Sequence, residues 1–341
     1  MGVNLRELIP IEPIEMKDLA GKRVGIDAYN WTYQFLSTIL VWTGEKQGEP
    51  LKDSKGRITS HISGLFNRTA NMLKENILPC YVWDGKPPAL KARTIELRKK
   101  RKEEAAYKLK HAKTEEEARK YAQQTAHLTH DMIADAEALL SAMGVPSVHA
   151  PSEGEAQIAH MVFKNDFWTC ASQDWDSLVF GSKRLVRNLS VTGKKKLPGK
   201  LGFKTVKPEL IELSKALKAL DINQEQLITM AMLIGTDYCP GVLGYGPKKS
   251  LAIVKEHNTL KQVLEHVKWD FDVPAEKIFE LFKTPETTDS YTLEWNPIDK
   301  EKIIQIMVDK HDFSLERVDS QLKQIEETNK QKKQTGLSKF F

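Results

Sequence analysis

The feature that most constrains the fold is an alternation of short apolar runs and longer helical segments over the first 190 residues. The helical segments are predicted over 29–41, 60–76, 91–142 and 153–164. Strands that alternate with helices form a mostly parallel sheet with right-handed crossovers. The predicted fold class is therefore α/β, a central twisted sheet flanked by helices, with its strands over 22–27, 78–83, 145–149, 167–171 and 184–189.

After residue 205 the apolar pattern becomes helical throughout. We predict helices over 207–220, 224–234, 247–257, 259–267, 275–283, 299–309 and 314–327. This helical region and the sheet are predicted to pack as one body over 1–327. Residues 328–341 are polar and lack an apolar face, which predicts a flexible tail.

The composition excludes several classes of protein. Hydrophobic residues make up 40% of the 341-residue chain and charged residues 28%, which is typical of a soluble protein with a core. No apolar run approaches the ~20 residues of a membrane span, and the first residues lack a signal peptide. A cytoplasmic protein without a membrane partner is expected. Three cysteines without a C-x-x-C pair argue against a zinc site and a disulfide framework.

Positive charge is concentrated in two segments, although the net charge is only +5. Residues 91–110 contain nine Lys or Arg and three Glu, and residues 193–207 contain six Lys and no acid. Local basic stripes favour a polyanionic partner. A solvated helix face with i,i+4 ion pairs is an equally good interpretation of the charge alone.

Acidic residues stand where several predicted strands end. Asp27 and Asp84 each follow a strand, and Asp174 and Asp176 follow a third. An Asp in this position commonly caps the next helix, so no single one indicates a site.

Glu153 and Glu155 open a helix behind Ser152. The spacing of Ser152 and Glu155 is that of a capping box, which favours a structural role for this pair.

The placement of the strand-end carboxylates indicates a metal site as an alternative to helix capping. The carboxyl ends of parallel strands meet at one edge of a sheet, which is where ligands bind. Close carboxylates repel one another unless they are protonated or share cations. Oxygen-rich clusters select Mg²⁺ or Mn²⁺, and two such ions can stabilise both oxygens of a phosphodiester that is being cleaved.

In order and wording, these segments resemble the flap endonucleases of the structure-specific 5′-nuclease superfamily, in their archaeal form. The resemblance covers the whole chain. It rests on the motifs GIDAYNWTYQFL, ITSHISGLFNRT, YVWDGKPPALK, APSEGEAQ, SQDWDSLVFGS, LIGTDYCPGVLGYGPKKS and QTGLSKFF.

The resemblance implies a nuclease that removes 5′ flaps near the junction of single strand and duplex in DNA replication and repair, with accompanying 5′–3′ exonuclease activity. It implies two Mg²⁺ ions per subunit, for which Mn²⁺ could substitute, and a monomer that binds branched DNA. Seven carboxylates would hold the metals: Asp27, Asp84, Glu153, Glu155, Asp174, Asp176 and Asp237. The resemblance thus restores the two glutamates and adds Asp237, which the strand-end argument does not reach.

Two basic residues match those that the family places beside the scissile phosphate. Lys91 and Arg98 are seven residues apart and would share one helix face. Tyr33 matches an aromatic residue on which a base stacks, and Arg68 is a further expected DNA contact. A solvated basic helix and a core tyrosine are the structural alternatives.

Three further segments match family elements. Residues 91–130 would form a helical arch that a single-stranded flap threads, and 224–257 a helix–two-turn–helix element that binds duplex phosphates and K⁺. The expected duplex contacts are Gly244, Gly246, Lys248 and Lys249. In the tail, the residues that match a sliding-clamp interaction motif are Gln334, Leu337, Phe340 and Phe341.

Two other functions remain open. A related nuclease that cuts bubbles would carry a much longer insert than 91–130. A non-catalytic, junction-binding clamp partner would lack metal carboxylates, and all seven matched positions are acidic. Residues 39–42 could wedge the junction open or lie in the core.

Overall fold

The computed structural model describes most of the chain. The described residues are 5–42, 48–112, 127–191, 193–196 and 203–337, together with Val3, Thr114, Glu117, Tyr121 and Thr125. Phe340, Phe341 and most of 113–126 lie outside this set, and with them one half of the predicted clamp motif and part of the predicted arch. No helix among the described residues is long and apolar enough to cross a membrane.

Eleven strands and 13 α-helices form within the described ranges. The strands are β1 Glu12–Pro13, β2 Arg23–Asp27, β3 Leu40–Trp42, β4 Gly48–Pro50, β5 Leu78–Trp83, β6 Ser147–His149, β7 Thr169–Ala171, β8 Arg184–Arg187, β9 Gly193–Lys196, β10 Phe203–Val206 and β11 Glu209–Glu212. The helices are α1 Ala28–Thr38, α2 Ser60–Lys74, α3 Ala92–Lys110, α4 His130–Ala142, α5 Gly154–Phe163, α6 Asp176–Val179, α7 Leu213–Leu220, α8 Gln224–Ile234, α9 Pro247–Glu256, α10 Leu260–His266, α11 Ala275–Lys283, α12 Lys300–Ile304 and α13 Leu315–Leu337.

A seven-stranded sheet lies at the centre, in the order β1-β11-β8-β7-β2-β5-β6. The five strands β8, β7, β2, β5 and β6 run parallel, and β11 and β1 add an antiparallel edge. The predicted α/β class with a mostly parallel sheet is confirmed. All five strands predicted from the sequence belong to this parallel part.

The two faces of the sheet are covered by different helices. Successive residues of β5 alternate between them, so Cys80 and Val82 pack in one apolar cluster and Tyr81 and Trp83 in the other. The first cluster includes side chains of α5, α8, α9 and α11, and the second those of α1, α2, α4 and α13. The C-terminal helices therefore share a core with the sheet.

Two predicted helix boundaries are wrong. The first helix ends at Thr38, and Leu40–Trp42 pairs with β4 as a small hairpin, because three large β-forming side chains follow one another there. Residues 207–220 do not form one helix. Glu209–Glu212 pairs with β8 before α7 begins, since its alternating apolar residues fit an edge of the sheet.

The remaining differences lie in polar segments. Residues 193–196 and 203–206 pair as an antiparallel hairpin, which no apolar pattern predicts. The last helix continues past residue 327 to Leu337, because the Lys and Gln residues of 328–337 have high helix propensity although this stretch lacks an apolar face. Val41 is 39% exposed, so this member of 39–42 is not a core residue.

Candidate active site

The sheet brings three strand ends together at one edge. Asp27 ends β2, which lies between β5 and β7, the strands that precede Asp84 and Asp174. The Asp27 carboxylate accepts a hydrogen bond from the Asn30 amide at 2.9 Å and so caps α1. Asp27 therefore caps α1 and also lies near the other carboxylates.

The capping box predicted for Ser152 and Glu155 does not form. Glu153 is the N-cap of α5 and makes no side-chain capping bond. Asp84 caps this helix instead, because its carboxylate accepts a hydrogen bond from the Gly154 amide at 2.7 Å. A Cβ atom at Gly154 would stand 2.8 Å from that oxygen, so the close approach requires glycine.

Glu155 is therefore free to face the cluster. One of its carboxylate oxygens, Oε1, is buried and has no hydrogen-bond partner among the described residues. Burial, followed by the charges of Asp27 and Asp174, holds the pKa of Glu155 well above its usual range.

The other sheet carboxylates are perturbed in the same direction. Burial and the neighbouring Asp84 raise the pKa of Asp27 well above its ordinary value. Burial, with Asp174 and Asp237, raises the pKa of Asp176 to about 7. The pKa values of Asp84 and Asp174 are also raised, chiefly by burial. These buried like charges lack sufficient positive compensation.

Asp237 reaches this site from the turn after α8. Its two oxygens lie 3.0 Å from Lys91 Nζ and 2.6 Å from Arg98 Nη2. Although burial alone would raise the pKa of Asp237, these two cations hold it below its ordinary range. Lys91 also contacts Glu153 at 2.7 Å, so the shared helix face predicted for Lys91 and Arg98 is directed at the carboxylates.

The chemistry of the donors fits a divalent cation. The set offers hard carboxylate oxygens, one of which is buried without a partner, and a charge that only cations can offset. Among the described His, Cys, Asp and Glu side chains, no three are close enough together to ligate one metal ion. The fit therefore rests on donor type and charge.

The aromatic residues of α1 separate by face. Trp31 and Phe35, four residues apart, are 1% and 2% exposed, whereas Tyr33 is only half-buried. Lys102 of α3 places its Nζ 5.0 Å from the centre of the Tyr33 ring. Arg68 lies half-buried on α2, and burial lowers the pKa of its guanidinium.

The predicted duplex-binding turn is exposed. Gly244 has a φ of +82°, and Gly246 and Pro247 begin α9 as predicted. The side chains of Lys248 and Lys249 are exposed on the first turn of that helix. An exposed helix N-terminus with two lysines is suited to binding a phosphate.

Two residues at the site were missed by the sequence analysis. Asn30 donates to Asp174 at 2.8 Å and thereby joins α1 to the strand end after β7. Its position three residues after Asp27 on the same helical turn was the available signal. Tyr238, beside Asp237, is 6% exposed, and nothing in its sequence pattern distinguished it from a core residue.

Two family models match the chain. Residues 3–105 match the XPG N-terminal domain and residues 144–237 match the XPG I-region. The first range contains Asp27 and Asp84, and the second contains the other five carboxylates.

Full-length relatives extend this similarity. Flap endonuclease 1 of Pyrococcus abyssi is 50% identical over 345 residues, covering 100% of this chain and 98% of the relative. The structure of flap endonuclease-1 from Methanococcus jannaschii matches with a TM-score of 0.75 at 40% identity, over 97% of this chain and 100% of that one. The catalytic core of Rad2 in complex with DNA substrate matches with a TM-score of 0.69 at 25% identity, over 92% and 96% of the two chains.

Proposed function

Because the chain belongs to the flap endonuclease family, we propose that it cuts DNA where a single-stranded 5′ flap leaves the duplex. The observation that carries the proposal is the meeting of buried, like-charged carboxylates from the sheet with Asp237, Lys91 and Arg98 from the helical elements. The role of the protein is the removal of flaps in DNA replication and repair, with 5′–3′ exonuclease activity.

The metal ligands in this proposal are the seven carboxylates Asp27, Asp84, Glu153, Glu155, Asp174, Asp176 and Asp237. When bound, two Mg²⁺ ions supply Lewis-acid stabilisation of the charge on the attacking and leaving oxygens, and Mn²⁺ can replace them. Asn30 and the Gly154 amide hold Asp174 and Asp84 in orientation through hydrogen bonds. The donor chemistry and the uncompensated charge support this assignment.

Lys91 and Arg98 hold the scissile phosphate. In the protein alone they contact Asp237 and Glu153, which are anions like a phosphate. A phosphate that enters beside the carboxylates competes for the same ammonium and guanidinium groups. Both side chains then stabilise the charge that develops on the phosphate oxygens during cleavage.

The remaining DNA contacts surround this centre. Tyr33 stacks on a base, Arg68 binds the phosphate backbone, and the α9 turn with Gly244, Gly246, Lys248 and Lys249 binds a duplex phosphate and K⁺. Residues 91–130 form an arch over the flap. Helix α3 supports this assignment, because Ala105 is its single buried residue and the rest of its surface is available to DNA.

The decisive experiment is cleavage of a labelled double-flap DNA with Mg²⁺, with and without EDTA. The wild-type protein should cut near the junction, and Asp174→Ala should bind the DNA in Ca²⁺ yet cut at least 1,000-fold more slowly, since metal binding is lost. Asp270→Ala, which removes an exposed carboxylate that pairs with Lys268, is the matched control and should cut normally.

Two other outcomes would replace the proposal. Wild-type protein that binds the double flap but leaves it uncut would indicate a non-catalytic junction-binding protein. Faster cleavage of a bubble than of a flap would indicate a bubble-cutting nuclease. The 50% identity with flap endonuclease 1 of Pyrococcus abyssi over the whole chain favours flaps.

The C-terminal residues Gln334, Leu337, Phe340 and Phe341 are proposed to bind a sliding clamp. The sequence QTGLSKFF supports this proposal, because it places one leucine and two phenylalanines in an otherwise polar segment, where they could fill an apolar pocket of a partner. Deleting 334–341 should abolish clamp binding in a pull-down and leave clamp-free cleavage of the double flap unchanged. Equal loss of both would mean that this segment has another role.

A further inference from the structure

The turn that presents Asp237 also fixes the next side chain. The Thr236 amide donates to the Cys239 carbonyl at 2.9 Å, and the Tyr238 amide donates to Thr236 Oγ1 at 3.1 Å. This tight turn directs Asp237 towards the basic residues and Tyr238 towards the interior. Adjacent residues thus approach Lys91 from different sides.

Tyr238 contacts the active site and the core at the same time. Lys91 Nζ lies 5.9 Å from the centre of the Tyr238 ring. The edge of the same ring packs against Phe282, with centroids 5.4 Å apart, and Phe282 packs against Phe180 at 4.8 Å. Lys91 therefore stands over a ring that is supported by two further aromatic residues.

The hydroxyl group of Tyr238 is unusual for a buried tyrosine. Its oxygen is buried and has no hydrogen bond of acceptable geometry among the described residues. Burial, followed by the charge of Glu153, raises the pKa of Tyr238, so the phenol stays protonated beside that carboxylate. The ring and hydroxyl are thus adjacent to both partners of the Lys91–Glu153 ion pair.

We propose that Tyr238 is a positioning residue for Lys91. The face of the Tyr238 ring holds the Lys91 ammonium over the site when the carboxylate partners of Lys91 engage metal. The inference rests on the proposed role of Lys91. Asp237 and Glu153 are shared ligands, and their hold on Lys91 weakens when cations bind them. The ring is uncharged and fixed by packing, so its attraction for the ammonium persists.

The test distinguishes the contribution of the Tyr238 ring to the cleavage rate from that of its hydroxyl group. Tyr238→Leu removes the ring and should lower the single-turnover cleavage rate about tenfold, because a cation–π contact contributes about 2- to 30-fold. Tyr238→Phe retains the ring and should stay within about threefold of wild type. DNA affinity, measured in Ca²⁺, should be unchanged in both.

A double-mutant cycle distinguishes positioning from general packing. If Tyr238 acts through Lys91, Tyr238→Leu should have no further effect on the rate in a Lys91→Ala background. Phe180→Leu removes a ring from the same aromatic cluster without a contact to Lys91, and should lower the rate much less than Tyr238→Leu, because Phe282 still packs against Tyr238. Thermal melting of each variant establishes that it is folded.

Each failure has its own meaning. Additive effects of Tyr238→Leu and Lys91→Ala, or an equal rate loss in Phe180→Leu, would overturn the positioning role. A full rate in Tyr238→Leu would also overturn it, provided that Lys91→Ala is slow. A full rate in Lys91→Ala would instead contradict the proposed function of Lys91 itself.

Discussion

The carboxylates of the sheet edge and the carboxylate of the helical half are in opposite electrostatic states. Asp27, Glu155 and Asp176 have raised pKa values because they are buried among one another. Asp237 is also buried, yet its pKa is lowered because Lys91 and Arg98 contact it. Similar burial therefore has opposite consequences on the two sides of one site.

This difference assigns separate roles to the two halves. The sheet supplies negative charge that lacks a partner, which is what a cation site requires. The α8–α9 turn supplies a carboxylate that already engages the basic residues of α3 and its preceding turn. Asp237 thus joins the carboxylates proposed to bind metal to the side chains proposed to hold the phosphate, Lys91 and Arg98.

Removing Lys91 should change the contrast between Asp237 and the sheet carboxylates more than any other substitution discussed below. Lys91→Ala removes the first-named of the cations that lower the pKa of Asp237, so this pKa should rise towards those of the sheet carboxylates. The single-turnover cleavage rate should fall about 100- to 1,000-fold, as for other lost transition-state contacts.

The matched control is Lys99→Ala, which removes an exposed lysine of the same helix. Its rate should equal that of the wild type. A comparable loss in both variants would mean that Lys91 contributes only to the general positive charge of α3.

Stability without metal should fall as the pH rises. The raised pKa of Asp176, about 7 against an ordinary value of 3.8, means that the folded protein binds more protons than the unfolded chain between these pH values. The stabilisation that Asp176 contributes is present below about pH 4 and is lost as the pH rises to about 7, by about 1.4 kcal/mol per pH unit. The lowered pKa of Asp237 acts oppositely, and its contribution is lost only as the pH falls below its ordinary range.

Thermal melting in EDTA across pH 4–8 measures this slope, and Asp176→Asn should flatten it. Mg²⁺ should raise the melting temperature most at the high-pH end, where the carboxylates are ionised and bind it best. Because the pKa of the buried His61 is lowered to about 4 and acts in the opposite direction, the comparison of the two proteins decides. The same slope in Asp176→Asn and wild type would contradict the assigned electrostatics of the sheet edge.

The predictable parts of this molecule are those with a strong local pattern. The apolar run of β5, Leu78–Trp83, was predicted to the residue because both faces are buried. The edge strand β11 was read as helix because its pairing with β8 is non-local. The site residues likewise divide into those with a local sequence pattern and those whose position depends on non-local contacts.

Strand-end position alone indicated Asp27, Asp84, Asp174 and Asp176. Glu153 and Glu155 were masked by a local capping pattern that the fold does not use, because Asp84 takes the Gly154 amide instead. Asp237 lies in a turn between helices, so only the resemblance to a family indicated it. Tyr238 was missed because a buried tyrosine has the same pattern whether it supports a core or a lysine.

The smallest predicted effect concerns duplex binding by the helical half. Lys248→Ala with Lys249→Ala removes two exposed charges at the start of α9, and binding of duplex-containing DNA should weaken several-fold at moderate salt. The slope of log K against log salt should decrease by about 0.9 for each phosphate contact that is lost.

The matched control is Lys261→Ala with Lys277→Ala, which removes two other exposed lysines and should leave affinity and slope unchanged. Because Lys248 and Lys249 are proposed to bind DNA away from the metal site, the single-turnover rate of their double variant at saturating protein should stay near wild type. A rate that falls together with the affinity would mean that duplex binding at α9 also orders Asp237, and the two halves would then be coupled more tightly than their separate electrostatics imply.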